Sequence, residues 1–142
     1  MPDIVMQVDV AADRPTVKDA LTAQTGITSW WTDQVELSPG VGQVLKASFV
    51  GAPMPFDLRV EAANDRGVVW RTQSFPPNWV GTEVRFDLSQ NPDGPGTRVL
   101  FTHAGFQQGD PGMPSIAYTW GQILARLKGY AETGTTQPYF VR

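Results

Sequence analysis

The chain has 142 residues, of which 41% are hydrophobic and 18% charged, with a formal net charge of −3, five Trp, one His and no Cys. One hydrophobic core is comfortable at this length, and the aromatic content excludes a disordered chain, which would be rich in charge and poor in rings. The acidic balance argues against a nucleic-acid partner, and the lack of Cys removes disulfides, thiolate nucleophiles and thiolate-bound metal.

Residues 1–10 contain neither a basic n-region nor an apolar h-region. No run approaches the ~18 apolar residues of a membrane span. The expectation is a cytoplasmic protein of one domain, 1–142, without membrane insertion.

Ile4, Met6, Val8 and Val10 alternate with Val5, Gln7 and Asp9, which predicts a strand over 3–10. Asp13 and Pro15 suit the start of a helix, where orphan amides accept a side-chain cap and tolerate Pro. Val17, Ala20 and Leu21 form its apolar stripe, Gly26 is expected to end it, and Ile27 to Thr32 to form a second short helix carrying Trp30 and Trp31. Residues 37–43 read as a loop. The next strand sets Leu45, Ala47 and Phe49 on one face, and the one after it sets Phe56, Leu58 and Val60 against Asp57, Arg59 and Glu61.

Asn64 to Gly67 has turn chemistry and should close a hairpin onto a strand with Val68, Trp70 and Thr72 on one side. Residues 75–79, with two Pro, cannot be a central strand and read as a rim loop. A fifth strand is expected from about Val80 to Leu88, with Val84, Phe86 and Leu88 on one face. The sixth puts Val99, Phe101 and His103 together, and Leu100 interrupts the alternation. Ile116, Trp120, Ile123, Leu127 and Tyr130 then recur at steps of 4, 3, 4 and 3, one stripe of a helix. With Pro114 in its first turn and Gly134 at its end, a helix of roughly 18 residues would span about 27 Å. Residues 135–142 form a short tail.

A run of strands closed by one amphipathic helix indicates an α+β fold, its antiparallel sheet covering the helix stripe. Several strings in this order resemble the START-like (SRPBCC) superfamily with its helix-grip fold, nearest to the family of the activator of the Hsp90 ATPase. They are Ala20-Leu21-Thr22, Trp30-Trp31-Thr32, Val69-Trp70, Gly81-Thr82-Glu83-Val84, residues 97–105, and Trp120 with Leu124. The resemblance implies a six-stranded curved sheet wrapped around the long C-terminal helix, two short helices after the first strand, and a cavity between sheet and helix. That superfamily includes lipid and hormone binders, polyketide cyclases and aromatases, and co-chaperone domains, so fold alone leaves function open.

The expected ligand-binding residues face that cavity: Phe49, Phe56, Leu58, Trp70, Phe86, Phe101, His103, Trp120, Ile123, Leu124 and Leu127, with Leu45 and Val99 beside them. The expected occupant is a small apolar or amphipathic molecule, anchored by His103 and by Tyr118 or Thr72. No cofactor and no metal is expected. Two alternatives stand beside this reading: a cyclase-type or aromatase-type enzyme with His103 or Tyr118 as proton shuttle, and an interaction module making a chaperone or homodimer contact. His103 titrates near neutrality and is the first candidate for acid–base work. No carboxylate shares its face, since Glu83 and Asp87 have the opposite parity, so it reads as an orienting group. Trp79 reads as a lid or as loop packing. Asp57, Arg59, Glu61, Arg71, Glu83, Arg85, Asp87 and Arg98 read as cross-strand ion pairing on a solvated face.

Overall fold

Period-two alternation along most of the chain produces one sheet. The computed structural model describes residues 3–38 and 40–141. Pro39 within the predicted loop, Met1 and Pro2 of the N-terminal segment, and Arg142 of the predicted tail lie outside the described residues. The strands are β1 (Ile4–Val10), β2 (Gln34–Glu36), β3 (Val44–Ser48), β4 (Phe56–Asn64), β5 (Gly67–Thr72), β6 (Glu83–Gln90) and β7 (Thr97–Ala104). They pair in the order β1-β7-β6-β5-β4-β3-β2, every pair antiparallel.

The sheet therefore has seven strands rather than the expected six. The unforeseen one, β2, is three residues long and buries only Val35, which is too short for a period to register. Two short helices follow β1, α1 (Arg14–Thr22) and α2 (Gln24–Ile27), but the second precedes the expected span of Ile27 to Thr32, and Trp30 and Trp31 lie in the turn after it. Asp13 caps α1 by accepting from the Thr16 amide at 3.0 Å. Gly26 does not end this helix: the backbone turns extended at Ala23, and Gly26 lies inside α2. A Cβ on Gly26 would stand 2.8 Å from the Ala20 Cα, so glycine serves close approach there.

The long helix α3 (Met113–Thr133) is 21 residues and ends at Gly134, whose φ of 75° is the left-handed conformation of a helix C-cap. Its buried residues are Trp120, Ile123, Leu124 and Leu127, the expected stripe. Its C-terminal half is fastened to the end of β1: Lys128 donates to the Asp9 carbonyl at 2.8 Å, and Glu132 accepts from the Ala11 amide at 2.7 Å.

Inward positions on the sheet include Leu45, Leu58, Trp70, Phe86, Val99, Phe101 and His103, all fully buried. A bulge between Val60 and Ala62 shifts the parity of β4, so that Ala63 rejoins the core. Leu100 lies on the outer face, 40% exposed, opposite Gln7 and Asp87. That face carries the expected charge ladder: Arg71 bridges Glu61 and Glu83, Arg85 bridges Glu83 and Asp87, and Arg98 holds Asp9 and Asp93. Asp57 departs from that expectation. Its carboxylate accepts from the Ser74 and Phe75 amides at 2.9 and 3.0 Å and from the Ser74 hydroxyl. Burial alone would raise its pKa, but these bonds outweigh burial and hold it below the ordinary value. Asp57 thus fixes the start of the rim loop.

Candidate functional site: an aromatic groove at one end of the sheet

The space between sheet and α3 is filled by core side chains except at one end. There the N-terminal half of α3, the β3–β4 turn, the β5–β6 loop and the C-terminal tail surround a groove of about 400 Å³. Its apolar lining is Trp31, Phe49, Phe56, Pro76, Trp79, Ile116, Trp120, Ile123 and Phe140; its polar lining is Asn78, Ser115 and Thr119, with Gly112 between them.

Of the residues expected to face a ligand, Phe49, Phe56, Trp120 and Ile123 line this groove. Leu58, Trp70, Phe86, Phe101, His103, Leu124 and Leu127 lie behind it, in the packed core. Two rings account for the division. Trp31 stacks on Trp70 at 5.7 Å and an interplanar angle of 9°, and Trp120 covers Phe101 at 4.7 Å. Alternation gives the face on which a residue lies, not its depth below that face.

Trp30 is the core member of the Trp30-Trp31 pair, donating its indole N–H to the Ala20 carbonyl at 2.8 Å. Trp79 is 8% exposed and forms groove wall, its ring 5.1 Å from Phe56 and 6.1 Å from Trp120. The tail brings in Phe140. Tyr139 and Phe140 donate their amides to the Trp30 and Trp31 carbonyls, and Arg126 donates to the Gln137 and Pro138 carbonyls, both at 3.1 Å. Ser115 and Thr119 drew no notice in the sequence. The available signal was their spacing of four on the shoulder of the Ile116–Trp120–Ile123 stripe.

His103 is fully buried between Trp79 and Phe106, with ring centroids 4.4 Å from each. The Trp120 indole N–H, which can only donate, reaches His103 Nδ1 at 3.1 Å. Nδ1 is therefore the acceptor, and the single proton of the neutral ring sits on Nε2, 2.9 Å from Thr82 Oγ1. Thr82 in turn lies 3.4 Å from the Thr72 hydroxyl. Burial pushes the His103 pKa down to about 3. The ring is neutral near pH 7 and both nitrogens are engaged by side chains, so His103 does not reach the groove as the expected anchor. Neither of the other expected anchors is part of the groove lining: Thr72 is buried, and Tyr118 is 71% exposed on α3.

Among the described residues no group of three His, Cys, Asp or Glu side chains could hold a metal ion, and no helix is long and apolar enough to cross a membrane.

No family model matches the sequence, and no curated protein does. Solved structures do match. An Aha1 dimer from Colwellia psychrerythraea is 28% identical with a TM-score of 0.83, over 94% of this chain and 98% of that one. The protein SSP2350 from Staphylococcus saprophyticus is 18% identical with a TM-score of 0.76, over 99% of this chain and 98% of that one. DynU16, a protein of the dynemicin biosynthetic locus, is 22% identical with a TM-score of 0.75, over 99% of this chain and 51% of that one. A curved antiparallel sheet closed by a long C-terminal helix, matched in this way, is the helix-grip fold of the START-like superfamily, and within it the chain resembles the activators of the Hsp90 ATPase.

Proposed function

We propose that the protein binds a small apolar or amphipathic molecule in the groove between the sheet and the N-terminal half of α3. One observation carries this reading: a densely packed core opens at one end into about 400 Å³ of space walled by six aromatic rings. Ligand sites typically occupy ~300–1,000 Å³ and combine apolar walls with a few polar groups. An anilinonaphthalene dye should bind the native protein and be displaced by polycyclic or long-chain compounds. Ile116→Trp, which adds a ring to the groove wall, should abolish dye binding while leaving the circular dichroism spectrum unchanged. Failure of a broad panel of apolar compounds to bind would refute the reading.

A second reading, contact with a chaperone or with another copy of this chain, is favoured by the 28% identity to the Aha1 dimer. Sedimentation at micromolar concentration tests the homodimer. The cyclase-type alternative needs a proton shuttle in the groove, whereas His103 is buried behind Trp120 and Tyr118 is exposed outside it.

A further inference from the structure

Resting on that reading, we propose that the groove selects uncharged, flat aromatic molecules bearing one hydrogen-bonding group, and that Asn78, Ser115 and Thr119 are the residues that set this selectivity.

The first observation is where the charges are not. None of the groove's lining residues is ionisable in the physiological range. The absence extends beyond the lining: the segments 47–56, 72–82, 111–125 and 133–141, which supply every lining residue except Trp31, contain no Asp, Glu, Lys, Arg or His. The charged ladder of Arg59, Arg71, Arg85 and Arg98 with its acidic partners lies on the opposite face of the sheet. A carboxylate or ammonium entering the groove would lose water without meeting a counter-charge, and such a loss is strongly unfavourable. Asp57, next to Phe56, and Asp110, two residues before Gly112, are acidic and already accept hydrogen bonds, from the Ser74 and Phe75 amides and from the Gly112 amide at 2.8 Å, and both would repel an anion.

The second observation is the shape of the apolar wall. Trp31 and Trp120 have centroids 5.5 Å apart at 32°, and Trp120 and Trp79 have centroids 6.1 Å apart at 28°. Three large rings of similar tilt, with Phe49, Phe56 and Phe140 completing the wall, offer a flat molecule contact that a flexible chain gains only by giving up rotamer entropy.

The third observation is the polar wall. Ser115 and Thr119 stand one turn apart on α3, and the Asn78 amide nitrogen lies 3.8 Å from the Cβ position of Gly112, on the same side. The side chains of Asn78, Ser115 and Thr119 make no hydrogen bond to any described residue. Two hydroxyls and a carboxamide can donate and accept, and so suit a hydroxyl or carbonyl on an otherwise apolar ligand. A site built this way discriminates against an analogue that lacks the polar group.

The test compares five probes by tryptophan fluorescence titration at pH 7: 1-pyrenemethanol, pyrene, 1-pyrenecarboxylate, 1-pyrenylmethylammonium and 1-decanol. 1-Pyrenemethanol should bind at least tenfold more tightly than either charged analogue and than 1-decanol. In the double variant Ser115→Ala, Thr119→Val its advantage over pyrene should fall at least threefold, with the circular dichroism spectrum unchanged. Equal binding of a charged analogue or of 1-decanol, or an undiminished advantage in the variant, would overturn the selectivity while leaving the groove a ligand site. If none of the five binds, the ligand-binding reading itself fails and the selectivity falls with it.

Discussion

The protonation of His103 should be visible in the stability of the fold. The imidazole titrates at about 3 when folded, because it is buried, and near ~6.5 when the chain is unfolded. Between these values the unfolded state takes up a proton that the folded state refuses, so stability falls as pH falls. The slope approaches about 1.4 kcal/mol per pH unit, and from pH 7 to pH 5 the loss is about 2 kcal/mol. Depressed carboxylates such as Asp57 and Glu61 act in the same direction but chiefly below ~pH 5, where unfolded Asp and Glu begin to titrate. The control is His103→Gln, whose amide oxygen can accept from Trp120 and whose amide nitrogen can donate to Thr82. This variant should be less stable at pH 7, because the ring contacts to Trp79 and Phe106 are lost. Its dependence on pH between 7 and 5 should nevertheless be nearly flat. Urea midpoints followed by tryptophan emission at the two pH values measure both slopes. Equal slopes for the wild-type protein and the variant would refute a neutral, buried His103.

Two further perturbations test other parts of the argument. Trp120→Ala should cost about 3–5 kcal/mol for the lost ring, with a further cost because His103 Nδ1 loses its donor; an unchanged melting midpoint would contradict the phase of α3. Arg126→Ala removes two hydrogen bonds to the tail and a cation–π contact 5.1 Å from the Tyr139 ring. Exchange protection of the Tyr139 and Phe140 amides should then fall by about tenfold, the equivalent of ~1.4 kcal/mol, while that of the β7 amides stays the same; unaltered tail protection would show that the backbone pairing alone holds the tail.

Long, regular elements were legible in the sequence, and short or interrupted ones were not. β1, β7 and α3 each repeat their apolar period several times, so each declares its type and its buried face. Gln34-Val35-Glu36 has one apolar residue and no period at all. Its strand character comes from pairing with Lys46 to Ser48, a tertiary fact. The fifth predicted strand begins at Glu83 rather than near Val80, because Gly81 donates to the Thr72 carbonyl and Thr82 to the Trp79 carbonyl, which holds the chain in a turn. The site was half legible for a related reason. Phe49, Phe56, Trp120 and Ile123 were assigned to the correct face, and so were Leu58, Phe86 and Phe101, but whether a second ring lies on top depends on Trp31 and Trp79. Both belong to segments whose path is fixed by loop hydrogen bonds rather than by periodicity.

The lone histidine illustrates how a residue type that suggests chemistry can be required by packing. Trp120 supplies one wall of the groove, yet its indole N–H points into the core and needs an acceptor there. The acceptor must be uncharged, because this part of the core has no counter-charge to offer. It must also fit among rings: His103 meets Trp79 and Phe106 at 4.4 Å and Trp120 at 6.1 Å. A neutral imidazole is a flat aromatic that accepts at one nitrogen and donates at the other. Its second nitrogen then needs a partner, which Thr82 provides, and Thr72 extends the chain to an adjacent strand. Strands β5 and β7, the turn before β6 and the covering helix are thereby joined through polar atoms that would otherwise be buried without partners. The orientation of Trp120 is set by that chain, so the groove wall inherits its rigidity from the core behind it.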